Sequence, residues 1–93
     1  MSDTLTAGTP RRLLVNGRDP FADETITVGA NLTVAAPDGN GQTFVSVADG
    51  VADGSTDTIS VAPGAEDAGF TAGSDDITIS VPAAPTPLAV TLE

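Results

Sequence analysis

Apolar and polar residues alternate with a period of two along most of the chain. Ile26 and Val28 alternate with Thr25 and Thr27, Leu32 and Val34 flank Thr33, and Thr43 to Val47 continues in the same way. Ile59 and Val61 fall on one face of their segment, Ile77, Ile79 and Val81 on one face of theirs, and Leu88, Val90 and Leu92 repeat the spacing near the C terminus. Successive side chains of a strand point to opposite faces, so this period predicts half-buried β-strands. Leu13-Leu14-Val15 is a further short β-prone run. No window holds a helical period over three turns, and the density of Gly, Pro, Thr and Val works against helices.

Turn residues punctuate these runs. Asn16-Gly17 and Asp19-Pro20 close the first, Gly29-Ala30-Asn31 separates the next two, and Asp38-Gly39-Asn40-Gly41 after Pro37 supplies residues that tolerate positive φ. The tract Ala48 to Ser55 reads as a loop in which Val-Ala-Asp-Gly, counted from Val47, occurs twice. Gly54-Ser55 ahead of Ile59-Ser60-Val61 and Gly73-Ser74 ahead of Ile79-Ser80-Val81 repeat at an offset of about twenty residues, which is recurring hairpin grammar rather than a duplicated unit. Seven to eight short antiparallel strands at about ten-residue spacing predict an all-β domain, a small sandwich or barrel. Residues 1–10, rich in Ser, Thr, Gly and Ala and ending in a proline, read as a flexible N-terminal arm. Residues 11–93 form the single domain; Pro82, Pro85 and Pro87 make a stiff connector, and residues 82–93 end in a last strand or docking tail.

Composition narrows the picture. Ninety-three residues hold one core, and it is thin: Phe, Leu, Ile and Val make up about a quarter of the chain, with no Trp or Tyr and only Phe21, Phe44 and Phe70 as large anchors. A chain of this size gains considerably from association. The longest apolar runs fall far short of a bilayer span, and the N terminus lacks the basic start and apolar stretch of a signal peptide, so the expectation is a soluble protein.

The charge is −10, from 13 acids against Arg11, Arg12 and Arg18, and no lysine occurs. Such a surface repels nucleic acid and anionic membranes. Two readings account for the acidity. In concentrated salt self-repulsion is screened and short Asp side chains replace apolar Lys stems, a halophilic composition; alternatively Asp, Ala, Val, Thr and Gly are favoured codons of a high-GC genome.

Catalysis needs a group that changes protonation or attacks. His, Cys, Lys and Tyr are all missing, which leaves paired carboxylates as the conventional option. Asp75-Asp76 and Asp23-Glu24 are adjacent, and neighbours on a strand face opposite ways, so neither is a natural dyad. The expectation is no enzyme, no cofactor and no metal. Asp38, Asn40, Asp49, Asp53 and Asp57 lie in Gly-rich loops and could offer oxygen ligands to calcium, yet their spacing lacks the close alternation of an EF-hand loop, and a solvated acidic surface accounts for them. Asn31-Leu32-Thr33 fits the N-glycosylation acceptor pattern, as many chance triplets do.

The arginines form the most suggestive constellation. All three lie between residues 11 and 18, and every residue of charge after them is acidic, so the start of one subunit complements the body of another. The alternative is that Arg11 and Arg12 pair with the chain's own acids. Arg11, Arg12 and Arg18, with the apolar row Leu88, Val90 and Leu92, are therefore the candidate partner-binding residues.

A short Thr/Gly/Ala arm, Ser2 to Pro10, ahead of a compact β domain resembles the small capsid decoration, or cement, proteins of tailed viruses, and the lysine-free acidic body resembles those of viruses of salt-loving archaea. The resemblance is architectural and carries no diagnostic motif. It implies a virion protein on the capsid surface that bridges capsid subunits as a homo-oligomer, with a trimer favoured. It implies partners that are capsid protein and copies of itself, neither nucleic acid nor membrane. A tail or turret component, and an Ig-like adhesion module that binds cell-surface sugars, are the alternatives.

Overall fold

A computed structural model describes residues 2–83 and 86–93. Seven strands form two sheets: β1 (Ser2–Thr6), β2 (Arg11–Leu13), β3 (Thr25–Val28), β4 (Leu32–Val34), β5 (Thr43–Val47), β6 (Thr56–Ala62) and β7 (Gly73–Ser80). The larger sheet has the order β1-β7-β6-β3 and the smaller β2-β5-β4. The fold is therefore the all-β, two-sheet arrangement the alternation predicts, and the sheets do not close into a barrel. Among the described residues the one helical turn is 3₁₀, Ala65–Asp67.

Period-two alternation locates the core. Leu5, Ile59, Ile77 and Ile79 from the larger sheet meet Leu32 and Val45 from the smaller, and each is buried. Partly buried Leu13, Ile26, Val28, Val34, Val47 and Val81 extend it. None of the three Phe residues belongs to this core: Phe21 and Phe44 are half-buried and Phe70 is 60% exposed. Branched aliphatic side chains thus fill the interior, as befits pleated faces that pack closely.

β6 and β7 carry the longest ladder, from Thr56 opposite Thr78 to Val61 opposite Gly73. This pairing explains the recurring glycine-strand pattern: the two segments are neighbours in one antiparallel pair. The Asn16-Gly17 signal is realised as a two-residue hairpin, with positive φ at both (52° and 75°) and mutual Val15–Arg18 main-chain bonds of 2.7 and 3.1 Å. That hairpin takes over from β2 after Leu13, so Leu14 and Val15 lie beyond the strand.

Three expectations are corrected. Ser2 to Thr6 is no free arm. It pairs with β7, Leu5 opposite Ile79, and buries Leu5 to 3% exposure in the core. The strands are not all antiparallel either, because β1 runs parallel to β7. Finally, residues 86–93 form no strand; Leu88, Val90 and Leu92 are 91%, 86% and 97% exposed. Of the proline connector, Pro85 lies outside the described residues.

Candidate functional site

The charged residues that the fold brings together lie mostly around one cleft. β7 runs away from it, β1 runs beside β7 in the same direction, and β6 runs towards it, so Asp3, Val61 and Asp75 meet at the same end of the sandwich. The cleft has a volume of about 640 Å³; Leu5, Val45, Ile59, Val61 and Ile77 form its apolar floor, and Phe70 stands at its wall.

Two acid clusters edge this apolar floor. In the first, Arg18 sits between buried carboxylates: its Nη1 and Nη2 donate to Glu24 Oε1 and Oε2 at 3.0 and 3.2 Å, and Nη2 donates to Asp67 Oδ1 at 2.9 Å. The Glu24 and Asp67 side chains are 1% and 5% exposed. Asp67 Oδ2 accepts the Gly64 N–H at 2.9 Å, Glu24 accepts the Phe21 N–H, and the guanidinium lies 3.5 Å from the centre of the Phe21 ring. This network ties the loop after β6 to the segment between β2 and β3. Hydrogen bonding from Arg18 holds the Glu24 carboxyl at about 2, well below the usual range, against the opposing effect of its burial.

The second cluster is Asp75, Asp3 and Arg11. Asp75 shares the inward face of β7 with Ile77 and Ile79, and Asp3 shares the inward face of β1 with Leu5. Oδ1 of Asp75 is buried with no hydrogen-bond partner. Burial first, then the neighbouring Asp3 carboxylate, pushes the Asp75 carboxyl up to about 6. Arg11 stays at the rim, where its Nη1 donates to the Thr4 carbonyl at 2.9 Å and stands 3.9 Å from Asp3 Oδ1.

The pH dependence follows with its sign. A carboxyl whose value is raised on folding stabilises the fold fully below its unfolded value, near 4, and that contribution is lost as pH rises through about 6. A displacement from near 4 to about 6 is worth at most about 3 kcal/mol, and solvent in the open cleft reduces this to about 1 kcal/mol. Asp75→Asn is therefore expected to melt above the parent protein at pH 8, with the gap closing towards pH 4. Parallel melting curves at both pH values would refute this role for Asp75.

Arg12, exposed on β2 and also bordering the cleft, forms a bidentate pair with Asp19 at 2.9 and 2.7 Å. All three arginines are thus engaged by the chain's own groups, the alternative the sequence left open for Arg11 and Arg12. Leu88, Val90 and Leu92 are the predicted site residues that project freely. The Asp3–Asp75 pair escaped sequence reasoning; the alternation that puts Asp75 in line with Ile77 and Ile79 was the available signal.

The loop acids have a structural explanation. Asp38 Oδ1 accepts the Asn40 and Gln42 N–H groups, Asp53 accepts Val81, and Asp57 accepts Gly29, Asn31 and Thr58. A Cβ at Gly29 would collide with the Asp57 carboxylate, so a larger residue at this crossover between the sheets would have to displace Asp57 from the Gly29, Asn31 and Thr58 N–H groups it accepts. The side-chain nitrogen of Asn31, the acceptor atom in the glycosylation pattern, donates to the Thr56 carbonyl at 3.1 Å. Among the described residues no group of three or more acids is placed to hold a metal ion, and no helix is long and apolar enough to cross a membrane.

No family model, curated protein or solved structure matches the chain.

Proposed function

We propose that this chain is a structural assembly module and, more narrowly, a virion protein that decorates a capsid and stabilises it by bridging neighbouring subunits as a homo-oligomer. The exposed row Leu88, Val90 and Leu92 carries this reading. A strand-like apolar row left in water by an otherwise folded domain is a segment that gains by pairing with another molecule. The arginines support it indirectly: because they neutralise the chain's own acids, contact with a partner falls to the apolar row of the C-terminal segment, whose only acid is Glu93. The mechanism is mechanical, each module adding contacts across a subunit boundary that must break before the shell opens.

The test is co-sedimentation of the protein with particles from its native culture. The chain is expected to band with filled particles, and particles carrying a chain without residues 86–93 are expected to bind at least tenfold less of it. A chain that stays with the free protein at the top of the gradient would overturn the reading.

One observation favours the adhesion alternative. Phe70, 60% exposed, stands at the wall of an acid-edged cleft, the pairing of ring face and carboxylate that suits a sugar. Binding on a glycan array that is lost in Phe70→Ala would favour that module instead.

A further inference from the structure

We infer that the apolar cleft of one copy is the docking site for the C-terminal segment of a second copy, Leu88, Val90 and Leu92 entering above the floor formed by Leu5, Val45, Ile59, Val61 and Ile77. This deepens the assembly reading and rests on it, naming the chain itself as the partner.

Three features of the molecule commit the cleft to this occupant. The first is electrostatic. The cleft is edged by four acids, Asp3, Glu24, Asp67 and Asp75, against two arginines, Arg11 and Arg12, and the protein as a whole carries −10. Another copy's body, or any acidic protein, is repelled there. The run from Ile77 to Leu92 is the longest stretch of the sequence without a charge, and residues 86–92 of it are described outside the sheets. The one acid of this C-terminal segment is Glu93, just beyond Leu92, so it is the portion of a second copy that brings the least negative charge towards the cleft.

The second feature is shape and period. The floor of the cleft comes from strand residues, Leu5, Val45, Ile59, Val61 and Ile77, and an extended chain laid over it presents side chains spaced two residues apart on one face. Leu88, Val90 and Leu92 have that spacing, and Pro87 immediately ahead of them disfavours helix there. All three are at least 86% exposed, so docking removes nearly their whole apolar surface from water.

The third is direction. β7 begins at the cleft with Gly73 and ends at Ser80, so the C-terminal segment leaves from the end of the sandwich opposite the cleft. A segment that departs from one end and a slot that opens at the other join copies head to tail. Such a heterologous contact forms a ring where the rotation between copies closes, as around three, and reciprocal exchange of segments between two copies gives a closed dimer.

The absence of cysteine from the sequence makes the test clean. Ser74 lies on the cleft rim and is exposed. A Ser74→Cys protein mixed with a Leu92→Cys protein under mild oxidation is expected to give a disulfide-linked heterodimer. Val90→Asp added to the Leu92→Cys chain should reduce that product at least tenfold while leaving the circular dichroism spectrum unchanged. Light scattering of the unmodified full chain at high concentration should give a mass of two or three copies. A single-copy mass at every concentration would overturn the proposal. So would a Ser74→Cys/Leu92→Cys double variant that links only within itself, which would mean that each segment covers its own cleft. Failure to band with particles while the cross-link forms would instead sink the capsid role alone, so the two readings fail separately.

Discussion

Arg18→Ala is expected to lower the unfolding midpoint at pH 7 by roughly 15 °C or more, because removing one partner from a buried ionic network leaves the others charged and unpaired. Glu24 and Asp67 are almost wholly out of water, and Arg18 is the only cation bonded to either among the described residues. Arg18→Lys should recover only part of the loss, since a point charge cannot reproduce the forked donation to both Glu24 oxygens. The effect has a pH signature. Glu24, held low by Arg18, contributes stability above its unfolded value near 4.5, and that contribution fades as pH falls towards about 2. The gap between parent and variant should therefore be widest at neutral pH and narrow by pH 3. The exposed Arg12–Asp19 pair is the control: Arg12→Ala should move the midpoint by no more than a few degrees. Equal effects of the two substitutions, read by thermal denaturation, would show that burial of the Arg18 network contributes nothing.

Deleting residues 1–6 is expected to abolish cooperative unfolding or to drive aggregation. β1 covers the outer edge of β7, and its removal bares that edge and uncovers Ile77 and Ile79. Leu5→Ala isolates the packing part of the effect. A fully buried leucine truncated in a core this thin costs about 2–5 kcal/mol, in a domain whose whole stability is of the order of 5–15 kcal/mol. Removing residues 86–93 makes the opposite case, since Leu88, Val90 and Leu92 touch almost nothing in the isolated chain; in dilute solution its midpoint should stay within about 2 °C of the parent. An N-terminal deletion that melts like the full chain would return Ser2 to Thr6 to the status of an arm.

The acids illustrate how structure changes the meaning of composition. Six of them, Asp23, Glu24, Asp38, Asp53, Asp57 and Asp67, accept backbone N–H groups in turns or crossovers. A fold of short strands leaves many backbone donors outside its ladders, and short carboxylates satisfy them. Part of the acidity is therefore architecture. What remains at the surface still sets what can approach, and it favours neutral segments over charged ones.

Period-two alternation was enough to determine the class of fold and five of the seven strands, β3 to β7, because which face a side chain takes is a local property of an extended backbone; the run Leu13-Leu14-Val15 overlaps β2 only at Leu13. Asn16-Gly17 likewise announced its hairpin, since positive φ is a property of those two residues alone. β1 was illegible for a matching reason. Ser-Asp-Thr-Leu-Thr holds a single apolar residue, and its place comes from β7, more than seventy residues away, through pairing that no local pattern encodes. Leu88, Val90 and Leu92 show the converse: a good strand pattern stays unpaired when no free partner of the same chain takes it up. The cleft belongs to the tertiary structure as well. Asp3 meets Asp75 only because β1 pairs with β7 within one sheet, and Arg18 meets Asp67 only because the loop after β6 folds onto the segment between β2 and β3; burial of these contacts gives the charges their unusual strength.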